Sequence, residues 1–354
     1  MSEPPDAELG REGAAAPDAG PEGTSAPGLK GGGAAPDNGV AAAEQEESLA
    51  RIERGGITVA AERRLSELHE RGGLFTSDLS VNGWALSHQL GLRPLSQVMG
   101  SSIYQMGYQS SWGRLEGGYD PYGTFMFELD TLSQALNEVR SRALGRLAEE
   151  ARHVGADAVV EVETRAGESS LETGTVTLEH TVFGTAVSRN GPGCSESRSH
   201  GSPSRSGGGS GRPVLTELSV ADFSKLVQAG FEPLGIVAWS SVFFAGYSAS
   251  GLAVGGRMMV GATENFELRD FTKAFYNARE TVMAELSAQA SAVGASGVVG
   301  VRIGHRAVPH TLPARMGSSS RNGLMVTFNA VGTAIRQRES APLYPPETTI
   351  DLTT

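Results

Sequence analysis

A predicted helix followed directly by a predicted strand occurs twice in this chain of 354 residues, and this repeat constrains the fold more than any other feature. The first copy spans residues 131–162 and the second spans residues 270–301. In the first copy, apolar residues recur at steps of three and four, as on a helix with one buried face. Gly155 then ends the predicted helix, because glycine adopts the left-handed conformation without a Cβ clash. The β-branched run that follows predicts a strand.

The two copies keep one register over a long stretch of sequence. Gly155 corresponds to Gly294, 139 residues later, and the same offset pairs Arg140 with Arg279. Further along, the offset becomes 148, so the second copy holds nine extra residues, which fit best in a predicted loop at residues 305–323. The sequence therefore predicts two tandem domains of about 110 to 120 residues each.

Each predicted domain contains a short helix, a long strand, the long helix and two further strands. Ser80 and Ser219 are predicted to cap the short helices, and Thr131 with Gln134 has the pattern of a capping box for the long helix. The long strand is expected to bulge at its internal glycines. This order predicts an α+β fold, in which one long helix covers a mainly antiparallel sheet in each domain.

The segments outside the repeats differ in composition. Their predicted order is a disordered acidic tail at 1–45, a helical lead-in at 46–71 with a break at Gly55, the first domain at 72–190, a Gly/Ser linker at 191–212, the second domain at 213–338 and a disordered tail at 339–354. The first tail has almost no large apolar side chain, so burial cannot offset the entropy lost on ordering it.

Charge and cysteine content indicate the compartment and exclude some partners. The net charge is −11, whereas phosphate binding needs clustered Lys and Arg, so no nucleic-acid partner is expected. Cys194 is the single cysteine and cannot form an internal disulfide, and no secretory signal is recognised at the N-terminus. These features favour a cytoplasmic protein.

Residues 233–256 contain no charged side chain, and a segment of that length is long enough for a membrane span. The corresponding segment of the first repeat carries Gln97, Gln105 and Arg114, although the same fold should apply to both copies. A buried strand explains both segments, so we expect no membrane partner.

Three motifs in fixed order carry a family resemblance: LGIV, then VGASGVVGV after the Ala-rich helix, then VGTAI in the last strand. In this combination the chain resembles the YbjQ-like family, whose members are often labelled heavy-metal-binding domains. The resemblance covers both repeats. It implies a small β-α-β-β domain, dodecin-like in fold, that self-associates as a ring, typically a pentamer. It supplies no catalytic residues to carry over.

The metal label requires ligands, and soft or borderline metals select sulfur and imidazole. Both domains lack cysteine, and only His305 and His310, in one predicted loop with Met316 nearby, are candidates to converge on a metal ion. No other cofactor is expected. Glu128 and Glu267 share a repeat position, but each precedes a helix whose positive end favours an acidic residue, so we expect a structural role.

The sequence therefore predicts a non-enzymatic, oligomeric protein that forms a ring-like scaffold or binds a small ligand at subunit interfaces. A heavy-metal-binding protein is the alternative, and an enzyme with an interface active site is the least supported. Two ring arrangements remain open: the repeats form separate stacked rings, or they alternate within one ring.

Overall fold

The computed structural model of the chain describes residues 38–71, 76–106, 125–170, 176–189, 212–246, 267–312 and 321–338. Cys194, Met316, the predicted tail at 339–354 and the linker up to residue 211 lie outside the described residues, as do residues 1–37 of the tail predicted over 1–45. Residues 38–45 of that tail, predicted as disordered, belong to the first helix. The chain divides into two parts, Met1–Ala43 and Glu44–Thr354, and the second part contains both repeats. Of Met1–Ala43, the described residues form the start of the first helix.

Two helices precede the repeats, α1 (Asn38–Glu53) and α2 (Val59–Arg71), and they lie on either side of Gly55, which has φ 84°. The turn between them packs on the first repeat. Arg146 of the first long helix donates hydrogen bonds to the carbonyl oxygens of Ile52 (3.0 Å) and Gly56 (3.2 Å). Leu65 is fully buried beside the same helix.

The two repeats share the order short helix, long strand, long helix and two further strands; among the described residues, the first has an additional short strand before its long helix and the second has one before its short helix. The first has α3 (Val81–Gln89), β1 (Leu92–Gln105), β2 (Phe125–Glu128), α4 (Asp130–His153), β3 (Ala158–Ser170) and β4 (Val176–Arg189). The second has β5 (Val214–Leu215), α5 (Val220–Gln228), β6 (Phe231–Gly246), α6 (Arg269–Ala292), β7 (Gly297–Leu312) and β8 (Arg321–Gln337). The fold is therefore mixed helix and sheet, as predicted.

The two sheets exchange strands between the repeats. One sheet has the order β1-β4-β3-β5 and the other has the order β2-β6-β8-β7. Thus β2 of the first repeat pairs antiparallel with β6 of the second, and β5 of the second pairs parallel with β3 of the first. A sheet within each repeat was expected from the sequence. The connection from β1 to β2, residues 106–124, is 19 residues long, far beyond a tight hairpin turn, so it does not force these two strands to pair.

Most of the helix ends predicted from the local sequence are confirmed. Ser80 and Ser219 accept hydrogen bonds from the N–H groups of Gly83 (3.0 Å) and Asp222 (3.1 Å), as predicted for caps. Gly155 ends α4 with φ 69°. The predicted capping box at Thr131 and Gln134 is wrong, because α4 begins at Asp130 after Leu129, which makes no side-chain cap.

The bulge in each long strand follows a proline, and the one in β6 reaches the internal Gly235, which has φ 149°. The register shifts between Pro94 and Ser96 in β1, and between Pro233 and Gly235 in β6. Proline has no N–H to donate, so a bulge there costs little of the ladder. Gly100 has another role: a Cβ there would lie 2.0 Å from the carbonyl oxygen of Ala143, so the glycine lets β1 approach α4.

The extra residues of the second repeat lengthen its terminal hairpin. β7 and β8 have 16 and 17 residues, whereas β3 and β4 have 13 and 14. Residues 305–312, predicted as loop, are therefore strand. β6 likewise forms a strand over the first part of the uncharged segment. Across the described ranges, no helix is both long enough and apolar enough to cross a membrane.

Candidate functional site

The contact between the two repeats contains a network of polar side chains that joins separate parts of the chain. α4 of the first repeat packs on β6 of the second, beside the paired strand β2. We call the residues on the α4 side the helix face: Glu128, Leu129, Ser133, Asn137 and Arg140. The residues on the β6 side are the strand face: Ser240, Ser241 and Val242. The backbone N–H of Leu129 donates to the carbonyl of Val242 (2.7 Å), which fixes the register of the two faces.

Glu128 is the acceptor at one end of the network. Its carboxylate accepts hydrogen bonds from the hydroxyls of Ser133 (3.0 Å) and Ser241 (2.6 Å), one from each repeat. The Ser133 hydroxyl in turn accepts from the backbone N–H of Val242 (2.9 Å). The carboxylate is therefore used to join the repeats, which agrees with the structural role expected from its position.

Asn137 holds the middle of the strand face. Its amide donates to the carbonyl of Ser240 (2.8 Å) and accepts from the N–H of the same residue (2.8 Å). The buried guanidinium of Arg140 donates to the Asn137 amide oxygen (3.0 Å) and to the Ser240 hydroxyl. Burial lowers the pKa of Arg140 to about 10, with Glu217 opposing the shift. Arg140 still carries its charge at neutral pH.

The second half of the contact is formed by residues 214–218 of the second repeat, which lie along β3 of the first. The N–H of Thr216 donates to the carbonyl of Val159 (2.9 Å), and the N–H of Val162 donates to the carbonyl of Thr216 (3.0 Å). One residue further, the N–H of Glu161 donates to the carbonyl of Leu218 (3.1 Å). The segment therefore extends the first sheet by an additional, short parallel strand.

Two more titratable groups are buried near this contact. Burial lowers the pKa of His180 to about 4, and the charge of Arg140 adds to the shift. Burial also raises the pKa of Glu217, although Arg302 donates to one of its oxygens (2.5 Å). Among the described residues, His180 Nε2 and the second oxygen of Glu217 have no hydrogen-bond partner. His180 is therefore a neutral side chain at pH 7.

Residues at the same repeat position differ sharply in exposure. Leu129 of the helix face is 2% exposed, whereas Leu268 is 44% exposed. Val242 of the strand face is fully buried, whereas Ile103 is 67% exposed. The helix face of the first repeat and the strand face of the second therefore cover each other. The corresponding helix face of the second repeat and strand face of the first are open to solvent.

The same difference holds for the segment beside β3. Val220 at the start of α5 is fully buried, whereas its counterpart Val81 at the start of α3 is 83% exposed. Val162 of β3 is buried under this segment, whereas Val301 of β7 is exposed. Both halves of the contact are thus present twice in the chain, once closed and once open.

The candidate metal ligands lie on β7. His305 and His310 are five residues apart on a strand without a register shift between them, so their side chains point to opposite faces of the sheet. The His305 ring contacts Phe275 of α6, with ring centroids 5.6 Å apart. Within the described ranges, no three His, Cys, Asp or Glu residues cluster in a way that would hold a metal ion. The two imidazoles therefore do not form one site from a single chain.

The family model of the YbjQ-like proteins, described as "Putative heavy-metal-binding", matches residues 125–190 and 233–338. These matches fall on the two repeats, and the chain belongs to the YbjQ-like family as a tandem protein. The encapsulin nanocompartment protein Rv1762c of Mycobacterium tuberculosis (strain ATCC 25618 / H37Rv) is 30% identical over 298 residues. That similarity covers 83% of this chain and 97% of the relative.

Sequence reasoning identified Glu128 but not the other residues of the contact. A signal was present, because the residues Glu, Leu and Arg recur at the same repeat positions: Glu128 with Glu267, Leu129 with Leu268, and Arg140 with Arg279. It could not be read as an interface, because nothing in one sequence shows which copy of a polar group is buried.

Proposed function

We propose that the protein is a non-enzymatic, ring-forming scaffold or binds a small ligand at its subunit interfaces. The observation that carries this proposal is the pairing of a closed and an open copy of one interface in the same chain. Met99 and Ile103 are both exposed on β1, an outer strand in the described sheet, and exposed apolar side chains together with an open strand edge favour a covering partner.

The open faces are of two different kinds, and this supports a ring instead of a simple pair. The first repeat leaves a strand face open and the second leaves a helix face open. A contact between unlike faces is heterologous, and repeated heterologous contacts either close into a ring or run on as a filament. A closed ring leaves no copy with an unused face, whereas a filament has an unused face at each end, so we favour the ring.

The mycobacterial relative is named an encapsulin nanocompartment protein. A self-assembling protein suits a role as a component of such a compartment, and we propose that role for this chain as well. The single cysteine favours a cytoplasmic location.

Heavy-metal binding is the second candidate, and its support is the description of the family model. Imidazoles from neighbouring copies of His305 or His310 could meet at an interface even though those of one chain point apart. This candidate therefore also depends on assembly.

Native mass spectrometry of the full chain tests the proposal, because it reports the number of copies and any retained ligand. We expect a single closed species of several copies of the 36.9 kDa chain at micromolar concentration. Light scattering over a hundredfold dilution then separates a closed ring, whose mass stays constant until it dissociates, from a filament, whose mass rises with concentration. A monomer across the whole range would overturn the proposal.

A further inference from the structure

The closed contact within the chain uses the helix face of the first repeat and the strand face of the second. A stack of two separate rings would need the helix face of each first repeat to bind another first repeat. That face is already covered by the second repeat of its own chain, as the hydrogen bond from Leu129 to Val242 shows. The faces that remain are the strand face of the first repeat and the helix face of the second.

The open helix face retains the chemistry of the closed one. Thr272 donates to Glu267 (2.9 Å), which repeats the bond from Ser133 to Glu128 (3.0 Å) before any partner is present. Leu268 and Arg279 stand where the closed face has Leu129 and Arg140. The acceptor and the apolar contact therefore lie directly before α6, and the guanidinium lies on α6, where it also pairs with Glu280 (3.0 Å).

The open strand face matches it residue by residue. Ser101, Ser102 and Ile103 of β1 correspond to Ser240, Ser241 and Val242 of β6. β1 is the outer strand of its sheet in the described part of the chain, so this side of the strand has room for a helix and a paired strand. Seated as in the closed contact, the Ile103 N–H would donate to Thr272 of a second copy. Ser102, the counterpart of Ser241, is buried in the single chain, whereas Ile103 is exposed.

The open helix face differs from the closed one at the position of Asn137. Tyr276 stands in place of Asn137, so the two-bond clamp on the strand backbone is not repeated. In the first repeat, however, Arg146 of α4 already donates to the carbonyl of Ser101. The backbone group that Asn137 satisfies at Ser240 is thus partly satisfied from within the repeat, and the exposed Tyr276 ring is free to supply apolar burial.

The hydrogen bonds that hold the segment beside β3 have counterparts at the same repeat positions of the first repeat. In the second repeat, the Thr216 hydroxyl bonds that of Thr333 (3.1 Å) and accepts from the N–H of Leu218 (3.1 Å). In the first repeat, the Ser77 hydroxyl bonds that of Thr185 (3.1 Å) and accepts from the N–H of Leu79 (3.0 Å). The segment that extends β3 is therefore held in the same conformation where it would extend β7.

We infer that a second copy of this chain binds head to tail, with its first repeat on the second repeat of the preceding chain, so that the repeats alternate within one ring. This inference rests on the proposed assembly and specifies its partner and faces. Because each chain contributes one repeat of each kind, the ring contains an even number of repeats. Whole chains therefore cannot close the five-membered ring of repeats that the family resemblance implies.

The test blocks one open face at a time in the full chain. Ile103→Asp places a charge on the strand face, and Leu268→Asp places one on the helix face. Both side chains are exposed in the single chain, so neither substitution should prevent folding. Leu49→Asp, at an exposed leucine on α1, is the matched control. The masses of each variant and of an equimolar mixture of I103D and L268D are compared by native mass spectrometry.

We expect L49D to keep the mass of the unmodified protein, and I103D and L268D each to fall to the 36.9 kDa monomer. Their mixture should form a dimer and nothing larger, since it contains one intact pair of unlike faces. If I103D alone and L268D alone each form dimers, like faces pair with like; the inference then fails while assembly stands. If both variants keep the full assembly mass, these faces are not used, and the inference also fails. A monomeric unmodified protein would overturn both the inference and the proposed assembly.

Discussion

Glu161 of the first repeat accepts a hydrogen bond from the backbone N–H of Val220, the first residue of α5 in the second repeat (3.3 Å). Glu161 also has φ 54°, in the left-handed region that disfavours residues with a side chain, and its counterpart Gly300 has φ 64°. The same backbone kink is thus present in both repeats, and in the first it carries a carboxylate that caps a helix of the other repeat.

Replacing Glu161 separates the cap from the backbone strain. Glu161→Ala should destabilise the protein by about 1 kcal/mol, because it removes the cap and keeps the left-handed residue. Glu161→Gly should recover most of that loss, since glycine relieves a strain of about 1 kcal/mol. Urea unfolding at one protein concentration checks the order. Equal stability of the two variants would show that the conformation at this position is not strained.

Asn137→Ala should be among the most destabilising single changes on α4. It removes the partner of both the N–H and the carbonyl of Ser240, and two unsatisfied backbone groups cost about 2 to 4 kcal/mol together. Gln134→Ala, at an exposed position on the same helix, is the control and should change stability by less than about 0.5 kcal/mol. Thermal unfolding of both variants is the measurement. Similar midpoints would show that the hydrogen bonds from Asn137 to Ser240 do not stabilise the protein.

His180 should make the protein less stable in acid. Its folded pKa of about 4 lies below its unfolded value of 6.5, so the unfolded chain binds a proton first as the pH falls. Stability from this group is complete above pH 6.5 and is lost progressively towards pH 4, by about 3 kcal/mol at most.

The matched variant is His180→Phe, because the second repeat has Phe328 at the corresponding position. Subtracting its unfolding free energy from that of the unmodified protein, at pH 7 and pH 4.5, isolates the histidine from the carboxylates that titrate nearby. A difference that does not change with pH would show that His180 is solvated or ionised in the folded protein.

Metal content should be low in protein prepared without a histidine tag or a metal column. We expect less than about one equivalent of transition metal per chain, because such ions select sulfur and clustered imidazole. Elemental analysis of the unmodified protein and of the double variant H305A/H310A provides the measurement and its control. Stoichiometric zinc, copper or nickel that the double variant loses would establish a site.

Signals that act within a few residues were sufficient to predict much of the fold. Ser80 and Ser219 cap their helices, and Gly155 and Gly294 end theirs, because each depends only on its own backbone and the next turn. The long helices were predicted for the same reason, since their apolar stripe repeats with the helical period.

The features that sequence reasoning missed depend on distant partners. The long connection before β2 leaves open which strand it joins, and the structure pairs it with β6. The extra residues were expected in a loop, yet residues 305–312 belong to β7, an outer strand of the described sheet, where the missing N–H of Pro309 breaks no ladder on the open side. The network around Asn137 and Arg140 depends on both repeats at once, so no local pattern identifies it.

The longer hairpin of the second repeat has a consequence for the outline of the assembly. β7 and β8 each exceed β3 and β4 by three residues, and at about 3.4 Å per residue the longer hairpin extends about 10 Å further. Around a ring of alternating repeats, tall and short hairpins would follow one another. The rim would be notched, and its rotational symmetry would be set by the number of chains, half the number of repeats.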